Sequence, residues 1–381
     1  MARIRVTHVV FDFDGGGLES LVAAMAERTH GTNVVMSLVT LGGRVGRLGL
    51  STRHTFDRFV VASPMPAVSM FYPRSLAREI GATRPDVVHV HSGCWFKGAK
   101  AARLARAPRV IYTEHGREHD DPLVQRWLDR RASASTDVVV AVSTRLSDYL
   151  VRTVGIAATK IRVIHNGVDT LRFAPGEAPA AMRAALGIPP DARVIGSVGR
   201  LESVKAYERL IEAAARLKNL AFPPFAVVIC GEGSQRTSLE ARARELGVAD
   251  VVRLPGWTDA PEEFYRLLDV FVLCSKSEGE SVSLMEAMAS GVAPVVTDVG
   301  ANAEIVGEAL LSQVVSLPGR EALTEKLVTT LAAPATAARI GAIARERAAR
   351  HYSLDRLISE YERVYRGPLG SAAGPAGAPQ L

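Results

Sequence analysis

The stretch EGESVSLMEAMASGVAPVVTD, residues 278–298, decides how the rest of the chain is read. An apolar run at 270–274 precedes it, and a carboxylate, Glu278, opens it. A second carboxylate, Glu286, lies eight positions on. Gly279, Ser281 and Ser283 between them suit a turn rather than a strand. From Ser283 onward, Leu284, Met285, Met288 and Ala289 recur at helical spacing. Ser283 and Glu286, three apart, predict a capping box at the helix start. Ser290-Gly291 ends the helix, and 293–297 reads as a buried strand. A strand, a small-residue turn and a helix N-terminus leave backbone N–H groups free, which favours an anion such as phosphate. Carboxylates do not bind phosphate but accept hydrogen bonds from hydroxyls. One site offering both implies a phosphorylated, hydroxyl-rich ligand, a nucleotide sugar. Taken alone, the stretch is equally well an ordinary capped strand–turn–helix.

Outward from this stretch, strands and helices alternate. In the second half, strands are expected at 194–198, 226–230, 251–254 and 270–274, with helices at 206–218, 234–246 and 261–268. In the first half, strands are expected at 4–13, 34–41, 60–63, 86–91, 109–113, 137–142 and 161–164. Helical patterns lie at 18–28, 71–80, 96–105 and 122–134. Gly15-Gly16-Gly17 makes a glycine turn between the first strand and first helix, and glycines let a ligand approach the backbone closely. A glycine-rich loop follows at 42–49. The span 169–192 is rich in Pro and Ala and reads as a linker with one short helix.

This alternation predicts an α/β protein of two Rossmann-like, doubly wound domains facing each other across a cleft. The expected boundaries are 1–172 for the first domain, 173–192 for the linker and 193–350 for the second. Helical patterns occupy 339–351 and 354–366, the latter expected to return to the first domain. The Gly/Pro/Ala-rich segment 367–381 is expected to be disordered.

Two domains suit 381 residues, and a hydrophobic fraction of 48% with 23% charged residues is that of a globular protein. Cys94, Cys230 and Cys274 lie far apart and make no metal spacing. With no signal-peptide pattern and no run of 18 apolar residues, they lead to an expected reduced, cytoplasmic setting. Residues 1–168 hold 23 Lys+Arg against 14 Asp+Glu, a net +9, whereas the remainder carries −3. A basic first half suits an anionic lipid surface or an acidic acceptor, although scattered solvated arginines explain it as simply. Nothing in the pattern calls for nucleic acid.

Arg200 and Lys205 follow the strand at 194–198, in the same domain as the Glu278–Glu286 turn. Two cations just past a strand end can grip a diphosphate. Combined with Gly15-Gly16-Gly17 and Glu19, the segment TEHG around His115, HNGVD at 165–169, GRLESVK at 199–205, CGEG at 230–233 and EAMASGVAPVVTD, they make an ordered set. That set resembles the family 4 retaining glycosyltransferases of GT-B architecture and covers nearly the whole chain. TEHGREHDD followed by HNGVD is most similar to members that build polysaccharides.

The resemblance implies roles. Arg200 and Lys205 would bind the donor diphosphate and stabilise the leaving group. Glu278 would hold sugar hydroxyls, and Glu286 the ribose. The turn amides of Gly279, Glu280, Ser281 and Val282 would contact sugar and phosphate. Backbone near Arg253 would meet the base edge. Gly16 and Gly17 would let the first domain close on the diphosphate, and His115 would lie beside the transferred sugar. The family's chemistry needs no metal and no other cofactor. UDP is its commonest donor nucleotide, and glycan, lipid-linked and small-molecule acceptors all occur, with acceptor loops expected here at 42–54 and 115–125. Peripheral attachment to the inner membrane face is an expected accompaniment. Three departures stand out: Glu280 where relatives carry an aromatic or small residue, Ala206 in place of a glycine after Lys205, and Ala301 in place of one after Gly300.

Rival readings remain open. A nucleotide-sugar epimerase of the same fold, a glycosyltransferase acting on a secondary metabolite or sugar phosphate, and a non-catalytic nucleotide-sugar-binding protein share the outline. VVFDFDGG imitates a phosphatase motif with Asp12 as nucleophile, or a metal-binding DxD, but Gly16 stands where that phosphatase motif needs a hydroxyl residue. His89 and His91 share one strand face as a metal pair would, with no third ligand at useful spacing. Ser143 lacks a nucleophile elbow.

Overall fold

A computed structural model describes residues 2–62, 67–117, 121–220, 222–316 and 320–367. The expected disordered tail lies outside the described residues from 368 onward, as do Ser63 and positions 118–120 of the TEHGREHDD segment. The chain divides into two compact units, Gly167–Leu354 and the remainder.

The first unit is built on seven strands: β1 (Ile4–Val10), β2 (Val34–Thr40), β3 (Arg58–Val61), β4 (Val87–His91), β5 (Arg109–Glu114), β6 (Val138–Ala141) and β7 (Ile161–Val163). They pair in parallel in the order β3-β2-β1-β4-β5-β6-β7. Valine- and isoleucine-rich strands suit this arrangement, because helices cover both faces of a parallel sheet and alternation is lost. Every residue of β4 and β5 is buried. On one face, Trp95 stacks on Tyr112 with ring centroids 3.9 Å apart. The other face is polar at its centre, with His8 beside His89 and His91. The amphipathic C-terminal helix Leu354–Arg366 covers this face and belongs to the first unit. Asp355 binds Arg28, while Arg356 donates to the carbonyls of His165 and Asn166.

The second unit holds β8 (Arg193–Val198), β9 (Phe225–Cys230), β10 (Val252–Gly256), β11 (Val270–Leu273), β12 (Ala293–Thr297) and β13 (Val314–Val315). Their order is β10-β9-β8-β11-β12-β13, all parallel. Its aliphatic core runs through Val194, Ile211, Val228, Val272, Leu284 and Ile305. No single helix among the described residues is long and apolar enough to cross a membrane. The bent pair Glu321–Leu331 and Pro334–His351 comes closest, but Leu327, Ala344 and Ala348 are buried in this core.

Several expectations change. The short helix Arg47–Thr52 occupies much of the expected acceptor loop at 42–54. Helices Asn302–Val306 and Arg320–Leu331 and the two-residue strand β13 were not anticipated, because their weak periodicity carries no local signal. The helix expected at 339–351 starts at Pro334, a residue suited to a first helical turn. The capping box at Ser283 and Glu286 does not form. Helix Val282–Ala289 begins two residues earlier than such a cap requires, and Ser281, in extended backbone, accepts from Leu284 N at 3.3 Å. Glu286 therefore lies in the helix interior, out of reach of the cap.

Candidate functional site

In the second unit the strand order reverses direction between β8 and β11, the place where open α/β sheets hold ligands. The loops leaving those two strands bring two of the expected residues together. Lys205 ends a short 3-10 turn after β8, and its Nζ lies 2.7 Å from Glu278 Oε1 after β11. Ser275 Oγ donates to the same carboxylate oxygen at 2.5 Å. Glu278 is nearly buried and Lys205 largely so, so the pair is shielded from the water that weakens surface ion pairs. An ammonium has three N–H donors, so two remain for another anion. Arg200, at the mouth of the β8 loop, is exposed, and no hydrogen bond or ion pair holds its guanidinium among the described residues.

Glycines press these loops together. A Cβ on Gly231 would sit 1.9 Å from the Gly199 carbonyl oxygen, and one on Gly300 would sit 2.1 Å from that of Glu278. Gly300 also has φ +56°, a conformation glycine adopts without strain. Among the departures, Ala206 takes a left-handed φ of 52° while fully buried. Ala301, at φ −96°, needs no glycine.

Ser281 caps helix Val282–Ala289, whose first N–H groups face the turn after Glu278. Glu280 is buried beside Tyr352, whose hydroxyl is pushed up to about 12, chiefly by burial. One helical turn into the structure, Glu286 accepts from the Tyr265 hydroxyl at 2.8 Å. Burial raises Glu286 to about 7; the Tyr265 bond and the charge of Arg172 oppose that shift. Arg253 is not brought to this end. It sits near the start of β10, and its guanidinium donates to the carbonyls of Leu186, Asp250 and Val252.

In the first unit, the corresponding reversal lies between β1 and β4. Gly16 caps helix Gly17–Thr29 with extended backbone, and a Cβ there would meet the Glu19 carboxylate at 2.4 Å. Asp12 is tied to Arg44 by its carboxylate at 2.7 Å, which makes it a loop anchor. His115 follows β5; its N–H donates to Ser92 Oγ at 2.7 Å, and burial lowers its ring to about 4. His115 Nε2 and His91 Nδ1 share a hydrogen bond of 3.0 Å, and His91 Nε2 shares another of 3.0 Å with His8 Nδ1. His89 is held by Thr113 Oγ1 and the Tyr365 hydroxyl.

The third histidine absent from the local spacing is therefore His8, supplied by β1. The donor atoms of His8, His89 and His91 lie within 4.8 Å of one another. Those of His89 and His91 are already engaged with neighbours, and the group contains no carboxylate to balance a cation. The set fits a hydrogen-bonded polar layer better than a metal centre. Sequence reading also missed Ser275, Tyr265 and a buried knot in which Arg117 pairs with Glu114, Asp121 and Asp129. The knot borders a cavity of about 690 Å³ lined by Phe11, Met70, Lys97, Glu114, Pro122 and Gln125, among others. The acid-rich run after His115 was its only local signal.

Two family models match the chain: Glycosyltransferase Family 4 over residues 15–172 and Glycosyl transferases group 1 over residues 180–347. D-inositol 3-phosphate glycosyltransferase 2 of Catenulispora acidiphila is 34% identical over 332 residues, covering 77% of each chain. An Escherichia coli UDP-Gal:alpha-D-GlcNAc-diphosphoundecaprenol alpha-1,3-galactosyltransferase is 29% identical over 238 residues, 60% of this chain and 62% of that one. Among solved structures, Anabaena Alr3699/HepE in complex with UDP superposes with a TM-score of 0.81 at 17% identity, over 95% of this chain and 99% of that one. A Rickettsia africae glycosyltransferase does so at 0.79 and 19%, over 96% and 98%. The fold is thus GT-B.

Proposed function

This chain belongs to family 4 of the group 1 glycosyltransferases, and on that premise we propose that it moves a hexose-type sugar from a nucleoside diphosphate to a hydroxyl acceptor with retention of configuration. One observation carries the assignment: Lys205 and Glu278 pair at the sheet reversal of the second unit, with exposed Arg200 on the same loop as Lys205 and a capped helix start following Glu278. Departure of a nucleoside diphosphate builds charge on phosphate oxygens. Fixed cations and helix-terminal N–H groups stabilise that charge without reorganising. Arg200 and Lys205 take this role, with the turn from Gly279 to Val282. Glu278 orients sugar hydroxyls, and Glu286 the ribose. With these cations in place, the chemistry needs neither a protein nucleophile nor a metal.

UDP is the favoured donor nucleotide: one relative is named for UDP-galactose, and one neighbouring structure holds UDP. The acceptor belongs to the first unit, near His115 and the cavity. A lipid-linked acceptor in polysaccharide assembly is favoured by the relative named for a diphosphoundecaprenol substrate. Incubating purified protein with a panel of nucleotide sugars, with and without EDTA, tests the reading. Release of nucleoside diphosphate and an α-configured product from an α-donor support it. Isomerised donor would indicate an epimerase, and binding without turnover a non-catalytic receptor.

A further inference from the structure

The polar layer of the first unit contains a chain of imidazoles. His8 on β1, His91 at the end of β4 and His115 just past β5 meet nitrogen to nitrogen. His8 Nδ1 lies 3.0 Å from His91 Nε2, and His91 Nδ1 lies 3.0 Å from His115 Nε2. The His8 and His91 rings are 12° from parallel, the His91 and His115 rings 30°. His89 stands outside the chain, since Thr113 and Tyr365 take both of its nitrogens. The two ends of the chain differ. His8 is fully buried, and its Nε2 has no hydrogen-bond partner among the described residues. His115 is partly exposed, and no hydrogen bond among the described residues holds its Nδ1. Its chain neighbours Glu114 and Gly116 line the cavity.

A neutral imidazole has one N–H and one bare nitrogen, so each ring donates at one and accepts at the other. Burial keeps these three rings neutral. Two hydrogen bonds in series therefore put every proton on the same kind of nitrogen. With the protons on Nε2, the chain runs inward and ends in a buried His8 N–H that has no acceptor. With the protons on Nδ1, it runs outward: His8 donates to His91, His91 donates to His115, and the N–H left over is that of His115 Nδ1. The inner end is then a bare lone pair. A buried N–H without an acceptor is the rarer of the two defects, so the outward direction is favoured. The backbone of His115 is fixed as well. Its N–H donates to Ser92 Oγ at 2.7 Å, and Ser92 donates in turn to Glu114 Oε1 at 2.6 Å.

We propose that His91, backed by His8, is a positioning residue that sets the tautomer of His115 and so makes His115 an N–H donor to an oxygen of the bound sugar. Which nitrogen of an imidazole holds the proton is decided by the hydrogen bond that the other nitrogen makes. A donor here holds a sugar oxygen through its lone pair, whereas a bare nitrogen would hold only a hydroxyl that turned its hydrogen inward. No proton changes hands, because the chain fixes an orientation and moves no charge. The sugar contact rests on the proposed function; the tautomers belong to the protein without ligand.

The test is nitrogen NMR of the full chain, isotopically labelled at histidine, near neutral pH and without ligand. Single variants His8→Phe, His91→Phe and His115→Asn assign the three rings. His8, His91 and His115 are each expected to hold the proton on Nδ1. A proton on Nε2 of His91 or His115 overturns the proposal, and this reading uses the unmodified protein, so it holds even where a buried variant fails to fold. In His91→Phe, with folding checked by circular dichroism, the His115 proton is expected to spread to Nε2. A His115 proton that stays on Nδ1 there shows that His91 does not set it. Turnover supplies the second readout. His91→Phe is expected to lower kcat about tenfold with little change in donor KM. His115→Asn keeps an amide N–H near the place of Nδ1 and is expected to retain about tenfold more kcat than His115→Ala. Equal loss in those two variants overturns the donor role. The expected tautomers in a chain that transfers no sugar would sink the proposed function and leave the histidine chain standing. Transfer by a protein with its protons on Nε2 would do the reverse.

Discussion

The two sheets share one winding plan and differ at its centre. Both reverse direction beside their first strand, between β1 and β4 in one unit and between β8 and β11 in the other. In the second unit that seam is almost wholly apolar, with Ile195, Val270 and Val272 fully buried, and Ser197 donates to the Val272 carbonyl. Charge is confined to its two ends, with Arg193 and Asp269 where the strands begin and Arg200, Lys205 and Glu278 past where they finish. In the first unit, polar groups enter the sheet itself, as His8, His89 and His91. Both ring nitrogens of His89 and His91 are hydrogen-bonded, by Thr113, Tyr365, His115 and His8, whereas His8 is bonded at Nδ1 alone. An apolar seam with charged rims suits a site that must hold fixed charges rigidly. A polar seam ties a unit's integrity to protonation.

The largest effect expected from breaking this contrast lies at the charged rim. Arg200→Ala and Lys205→Ala are each expected to lower kcat/KM by about two to three orders of magnitude, measured by nucleoside diphosphate release with the fold intact by circular dichroism. Turnover that survives either change would remove the diphosphate assignment.

Next comes acid. Four buried histidines of the first unit, His8, His89, His91 and His115, are held neutral by burial, with His115 near 4 and His8 near 3. His89 and His91 are also held well below the ordinary value, chiefly by burial, with the charges of His8 and His115 adding to both and that of His89 to His91. Their folded values lie below the unfolded value of about 6.5, so the unfolded chain binds more protons below that pH. Stability of the first unit should therefore fall as pH drops from about 6.5 toward 4, by up to about 1.4 kcal/mol per histidine per pH unit. Hydrogen exchange at low pH should open β4 before β11. Simultaneous loss of protection in both strands would show that the seams do not differ in this way.

Glu286 offers a subtler probe. Burial raises its carboxyl to about 7, so it gains a proton near neutral pH rather than well below it. The ionised form accepts from ribose hydroxyls at both oxygens and more strongly than the protonated one, which spends one oxygen as a donor. Donor affinity should thus weaken as pH falls through 7, and binding should release protons to the buffer, measurable by calorimetry. Glu286→Gln should bind about tenfold more weakly at high pH and lose this dependence.

The smallest effect concerns Ala206. Glycine there relieves about 1–2 kcal/mol of left-handed strain. It also loosens the unfolded chain by about 0.4–1 kcal/mol and removes a buried methyl worth about 0.8 kcal/mol. Ala206→Gly should shift stability by less than about 1 kcal/mol in thermal unfolding.

Much of the architecture was legible because it rests on local signals. Valine-rich runs of five to seven residues separated by helical periodicity announce parallel strands, and all strands but β13 were expected within a few residues. Within the site, Lys205 and Glu278 were legible as chemistry but not as a pair, since 73 positions separate them. Ser283 was mistaken for a cap because Ser281 offers the same hydroxyl two residues earlier, and only backbone geometry separates the two. His8 went unnoticed since its neighbours His89 and His91 lie in a strand more than eighty positions away. Helix Leu123–Ala134 exposes Leu123, Val124 and Trp127, and its helical pattern in sequence does not reveal which face is buried.

By itself, the amino-acid order determined the strand–helix alternation, the two sheets and the small-residue turn after Glu278, all of which follow from side-chain size, branching and period within a few residues. Tertiary structure alone decided which carboxylate meets Lys205, that Glu286 is buried against Tyr265, that three histidines form one layer, and that Leu123, Val124 and Trp127 face outward. Those outcomes depend on which strands lie side by side and which faces are covered, and contacts between positions far apart in the chain leave no periodic trace along it.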